Sequence, residues 1–139
     1  MPSSGPDDVR TLGELHLLAA SRLHEVFSAA AATQGLTFME GRALRLIAVQ
    51  AAQHQLIDVL AADPSRVSAL VAQLVARDLV RREQARGDRR HRVVVLTPAG
   101  RRALDAIGSY LEQHSPLVSA LTAREAAQLE RLLRKVVAA

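Results

Sequence analysis

Near residue 78 the spacing of apolar side chains changes, and that change limits the fold more than any other feature of the chain. Before it, Val67, Leu70, Val71 and Leu74 recur at three- and four-residue steps, the spacing of one face of an α-helix. After it come Leu79 and Val80, then Val93, Val94, Val95 and Leu96, β-branched runs that read as two strands. Between them lies Arg86-Gly87-Asp88-Arg89-Arg90-His91, a polar stretch with one glycine that suits a hairpin tip. An isolated two-stranded hairpin is marginal in water, so this one must lie against helices. The expected fold is mainly α with a small β-hairpin.

The helices carry their own start signals. Residues 1–8 hold Pro2, Ser3, Ser4, Gly5 and Pro6, offer nothing to bury, and read as a disordered tail. Leu12, Leu15, Ala19, Leu23, Val26, Phe27 and Ala30 then give one apolar stripe, with Gly35 as a left-handed stop. Thr37 with Glu40 is a capping-box pattern opening a helix on Ala43, Leu44 and Ile47, expected to end near Gln50. A short helix is expected over Gln55–Ala62. Asp63 and Pro64 start the next one, since aspartate accepts the free N–H groups of a first turn and proline at that point gives up nothing. Its far side carries Ser65, Arg66, Ser68, Ala69 and Gln73, none large and apolar, and is free to touch a partner. Thr97-Pro98 restarts a helix to about Ser115, Pro116 breaks it, and Thr122 with Glu125 opens a last helix on Leu129, Leu132, Leu133, Val136 and Val137.

The chain, 139 residues long, is one domain's worth of polypeptide. Aromatics are 2% of it, so its core must be aliphatic, and the absence of cysteine excludes disulfides, thiolate metal sites and thiol redox sensing. No apolar run is long enough to span a membrane and no secretory signal opens the chain, so a cytoplasmic protein without membrane contact is expected. The net charge of +4 is unevenly spread: residues 64–102 hold ten arginines and three acids, whereas the other residues hold eight basic and eleven acidic groups. An arginine-rich third of that kind suits phosphates and guanine edges and points to nucleic acid, which the order of helices and hairpin narrows to double-stranded DNA.

Helix, helix, short turn, helix, strand, basic hairpin, strand, helix is the layout of a winged helix-turn-helix. The residues also resemble the MarR family of bacterial transcriptional regulators over 36–104. Leu56, Leu60, Leu70, Leu74 and Leu79, Asp63-Pro64-Ser65, Arg82, Asp88-Arg89-Arg90 and Leu96-Thr97-Pro98-Ala99-Gly100 match in order and spacing. Departures are Ala61 in place of the usual turn glycine, Asp78 in place of Gly or Asn, Ala69 at a position often polar or basic, and Arg66 in place of a small hydroxyl residue. The resemblance implies a homodimer on a palindromic operator, most often as a ligand-responsive repressor. It divides the chain into a dimerisation helix at 9–35, a DNA-binding lobe at 36–98 and C-terminal dimerisation helices at 99–139. The DNA contacts are expected from Ser65, Arg66, Ser68, Ala69 and Gln73 on the reading helix and from Arg86, Arg89 and Arg90 on the wing, where Asp88 orients Arg90. A small-molecule effector of unspecified identity would lie near His16, Phe38, Met39 and Tyr110.

Enzymatic readings find no support. No phosphate-cradling glycine loop occurs, and His24-Glu25 starts an H-E-x-x-H pattern that fails at Ser28. The remaining histidines are scattered, so neither a metal nor a cofactor is expected. A winged helix serving only protein contacts would need no arginines at 66, 86, 89 and 90.

Overall fold

The computed structural model describes residues 5–49, 63–85 and 88–139, with side chains for all of these except 6, 85 and 88–92. Its elements are α1 (Pro6–Ala32), α2 (Phe38–Ala48), α3 (Pro64–Ala76), β1 (Val80–Ala85), β2 (Asp88–Leu96), α4 (Pro98–His114), α5 (Pro116–Ser119) and α6 (Ala123–Ala138). The helix expected over 55–62, with Ala61, lies outside the described residues, as do Gln50 and Arg86.

Most start and stop signals work as the sequence suggests. Both capping boxes close: the Thr37 hydroxyl accepts from the Glu40 N–H at 3.2 Å while the Glu40 carboxylate accepts from the Thr37 N–H at 2.9 Å. Thr122 and Glu125 repeat this at 3.2 and 3.0 Å. Two helices end in the same left-handed motif. Gly35 has φ 68° and Asp78 has φ 58°. Leu36 N–H bonds back to the Ala31 carbonyl and Leu79 N–H to the Leu74 carbonyl, each at 3.0 Å, so both helices close on a buried leucine. An aspartate tolerates this backbone better than most residues, because its short polar side chain can hydrogen-bond locally and offset the crowding of its Cβ against the following carbonyl.

Three expectations need correction. The tail is shorter than residues 1–8, for α1 already begins at Pro6, with proline in its first turn and Asp7 and Asp8 behind it, which suits the positive end of a helix. The hairpin tip is narrower than 86–91, because β2 already begins at Asp88, which pairs with Ala85; Arg92 pairs with Gln84, and a register irregularity between Gln84 and Ala85 takes up residues 89–91. Pro116 ends one helix and also begins another, the single turn α5, where the Ser115 hydroxyl accepts from the Leu117 N–H at 3.2 Å.

The chain divides into two units. Ser28–Ser109 form one, and Met1–Phe27 with Tyr110–Ala139 form the other. Every fully buried hydrophobic side chain among the described residues belongs to the first: Ala30, Ala31, Leu36, Ala43, Leu44, Ile47, Val67, Val71, Leu74, Leu79, Val80, Ala103 and Ile107. This core is aliphatic throughout. β1 and β2 pair antiparallel with Val80 opposite Leu96 and Arg82 opposite Val94. The second unit has no such core. Val9, Leu12, Leu15, Leu17 and Leu18 of α1 are each more than half exposed, as are Val118, Val136 and Val137 near the C-terminus.

Candidate nucleic-acid interface

Helix α3 owes its position to a two-sided sequence. Val67, Val71 and Leu74 are fully buried, with Leu70 half-buried rather than buried beside them. Ser65, Arg66, Ser68, Ala69 and Gln73 are all exposed on the other side. Anchoring one stripe thus presents the five residues that the sequence nominates, and it does so on a rigid helix.

The start of α3 is fixed by Asp63. Its carboxylate accepts from the Arg66 N–H at 2.9 Å and from the Ser65 hydroxyl at 2.6 Å. These bonds, the Ser65 hydroxyl first, hold the Asp63 carboxyl below the ordinary aspartate range. One consequence is that the Ser65 hydroxyl proton is committed to Asp63, which leaves the oxygen lone pairs facing outward. Arg66, in the next position, is exposed and stands at the positive end of the helix, where anions are favoured.

The hairpin follows. Arg82 on β1 is exposed, whereas Arg81 is engaged with Glu83 two residues along the strand at 2.8 Å. Asp88, Arg89 and Arg90 stand in the first turnward residues of β2, and Arg86 lies outside the described residues. The two ends of the hairpin are pinned to the end of α3 by a residue that sequence reasoning saw only as a helix start. The Thr97 hydroxyl accepts from the Gly100 N–H at 3.0 Å and also donates to the Asp78 carbonyl at 2.6 Å, while Thr97 N–H reaches the Leu79 carbonyl at 3.1 Å. Gly100 is required here, because a Cβ would run into the Leu79 carbonyl oxygen.

Arg77 was likewise missed. Its guanidinium donates to the Gly35 carbonyl at 2.8 Å and to the Gln34 carbonyl at 3.2 Å, tying the end of α3 to the end of α1. No local pattern signals a contact across more than forty residues.

The four residues nominated for an effector are shared between the two units. His16 and Tyr110 belong to one unit, Phe38 and Met39 to the other. His16 Nδ1 bonds its own helix at the Leu12 carbonyl (3.3 Å), Tyr110 stacks on His114 at 4.0 Å, and the Arg42 guanidinium lies 5.9 Å from the Phe38 ring centre. Two apolar hollows open within the second unit. The larger, about 710 Å³, is walled by Leu117, Leu121, Leu129, Leu133 and Val137, and the smaller, about 380 Å³, by Leu23, Val26, Phe27, Leu111 and Val118. Neither is lined by a nominated residue. Among the described residues no helix is long and apolar enough to cross a membrane.

A helix presented for reading, followed by a pinned basic hairpin, defines a winged helix-turn-helix DNA-binding protein. A model of the MarR family matches residues 34–91. The chain is 32% identical to the transcriptional repressor NicR of Pseudomonas putida, over 98% of this chain and 92% of that protein. Its fold is similar to that of a mutant MarR from E. coli complexed with operator DNA (TM-score 0.69, 27% identity, 96% of this chain and 99% of that one). It is similar also to BpsR of Bordetella bronchiseptica, whose DNA binding is regulated by 6-hydroxynicotinic acid (TM-score 0.70, 26% identity, 91% and 93%). The chain belongs to the MarR family of transcriptional regulators.

Proposed function

We propose that this protein is a homodimeric repressor that binds an inverted-repeat operator and is released by a small aromatic acid. The observation that carries the reading is the face of α3: five small or polar residues exposed opposite a fully buried Val67–Val71–Leu74 stripe. Ser65, Arg66, Ser68 and Gln73 offer donors and acceptors to base edges, and Ala69 offers apolar contact to a thymine methyl. Arg86, Arg89 and Arg90 supply charge to the backbone and minor groove, with Asp88 orienting Arg90. In this reading the protein carries no catalysis and acts in the compartment that holds the chromosome.

The dimer is supported by the second unit, whose exposed leucines and valines have no core of their own to cover them. That many exposed large apolar side chains in one unit fit an interface better than a solvated surface. In this reading the chain is divided as the family resemblance implies, with a DNA-binding lobe between two dimerisation segments.

Repression is supported by the relative NicR, itself a repressor, and the effector class by BpsR, which responds to a hydroxylated pyridine carboxylate. His16, Phe38, Met39 and Tyr110 are the residues proposed to meet that ligand. The test is selection of bound sequences from random DNA with purified protein, then titration of 6-hydroxynicotinic acid into the complex. An enriched inverted repeat with half-sites one helical turn apart is expected, bound more weakly as salt rises. Enrichment of no sequence would overturn the regulator reading; an enriched repeat that the acid does not release would remove the effector class alone.

A further inference from the structure

Three consecutive residues just after α3 share hydrogen bonds with the chain at the end of α1 and at the start of α4, the two helices that leave the DNA-binding unit: Arg77 donates, and the Asp78 and Leu79 carbonyls accept. The chain passes between its two units twice, within α1 at Phe27–Ser28 and within α4 at Ser109–Tyr110. Inside the unit Ser28–Ser109, the end of α1 is held by the Arg77 guanidinium on the carbonyls of Gln34 and Gly35, at 3.2 and 2.8 Å. The start of α4 is held by Thr97, whose hydroxyl donates to the Asp78 carbonyl at 2.6 Å and whose N–H donates to the Leu79 carbonyl at 3.1 Å. Gly100 allows that approach, having no Cβ to meet Leu79.

We infer that Arg77–Leu79 is the fastening point at which the two helices that leave the DNA-binding unit fix the placement of α3 and the hairpin, with Arg77 and Thr97 as positioning residues. The chemistry suits a fastening. Gln34 and Gly35 stand in the turn just beyond Ala32, at the negative end of the α1 dipole, so a guanidinium spanning their two carbonyls is oriented as well as attracted. Thr97 bonds on three sides and is 6% exposed, which leaves it one rotamer that satisfies all its groups. Neither residue faces DNA through this role. Their effect is on the distance and angle between the two reading helices of a dimer, and hence on which half-site spacing the protein accepts.

The inference rests on the proposed reading of the protein as a dimeric operator-binding regulator. Its test uses the full chain and the operator selected by the wild type, together with operators one base pair longer and shorter between half-sites. Arg77→Gln and Thr97→Val are expected to remain dimeric by sedimentation while their discrimination between correct and altered spacing falls about three- to tenfold. Thr97→Ser keeps the hydroxyl and is expected to restore discrimination, whereas Arg77→Lys, with one ammonium for two carbonyls, is expected to fall between wild type and Arg77→Gln. Wild-type discrimination in both Arg77→Gln and Thr97→Val overturns the inference. So does a uniform loss of affinity at all spacings, which would mean lost stability alone. Because Arg77 is exposed, its variants decide the matter even if Thr97→Val unfolds. A wild type that selects no inverted repeat overturns the regulator reading, and this inference with it.

Discussion

At the scale of single residues, Asp63 and Arg66 stand three positions apart at the same helix start and do different work. Arg66 is exposed at the first turn of α3, so it reaches either a base edge or a phosphate. Arg66→Ala is expected to cost about 1 to 3 kcal/mol of binding and to relax preference at one operator position, measured by competition with single-base operator variants. An equal loss on every variant would assign it to phosphate. Asp63 acts on folding. Its carboxyl sits below the ordinary aspartate range because of the bonds from Ser65 and the Arg66 N–H, so the folded state holds the ionised form more strongly than the unfolded chain does. That contribution is fully present above the ordinary aspartate range and is lost as pH falls from there through the lowered value. Thermal unfolding of Asp63→Asn should therefore differ most from wild type near neutrality, with the gap closing in acid. A constant gap across pH would mean that ionisation of Asp63 is irrelevant to the cap.

Among the elements, the two left-handed helix ends invite a direct comparison, because one uses glycine and the other aspartate. Asp78→Gly removes the crowding at φ 58° while keeping the carbonyl that Thr97 holds, so it is expected to stabilise the fold by about 0.5 to 1 kcal/mol in denaturant titration. Gly35→Ala should do the reverse, since φ there is 68° and a new Cβ would lie 3.2 Å from the Arg77 guanidinium. A neutral or destabilising Asp78→Gly would show that the aspartate side chain, rather than its backbone tolerance, holds that turn. These ends also mark how far the elements were legible in the sequence. Capping boxes, the Asp63-Pro64 start and the reading face follow from patterns within four residues, and each of those local patterns dictates its own geometry. Thr97 was readable as a helix start from its proline, but its bond to Asp78 spans nineteen residues, and the Arg77 bonds span forty-two and forty-three. Contacts of that range depend on the packed fold and leave no periodic trace. The narrowing of the hairpin was missed for a related reason: the register shift that carries the strand on to Asp88 is set by pairing across the hairpin, and a run of polar residues does not announce it.

For the whole molecule, the decisive asymmetry is that one unit buries the core while the other leaves leucines and valines on its surface. Truncation before Thr122 removes Leu129, Leu132, Leu133 and Val136 and is expected to release monomers with little loss of secondary structure in Ser28–Ser109. Sedimentation together with circular dichroism checks this, and a truncated chain that still sediments as a dimer would move the interface to α1. The same asymmetry has a consequence for dose. If two copies must meet before either can grip its operator, occupancy at low abundance follows the square of the amount of protein rather than the amount itself. Halving the concentration of the protein would then cut the assembled form nearly fourfold where monomers prevail, and a modest change in synthesis would become a steep change in control.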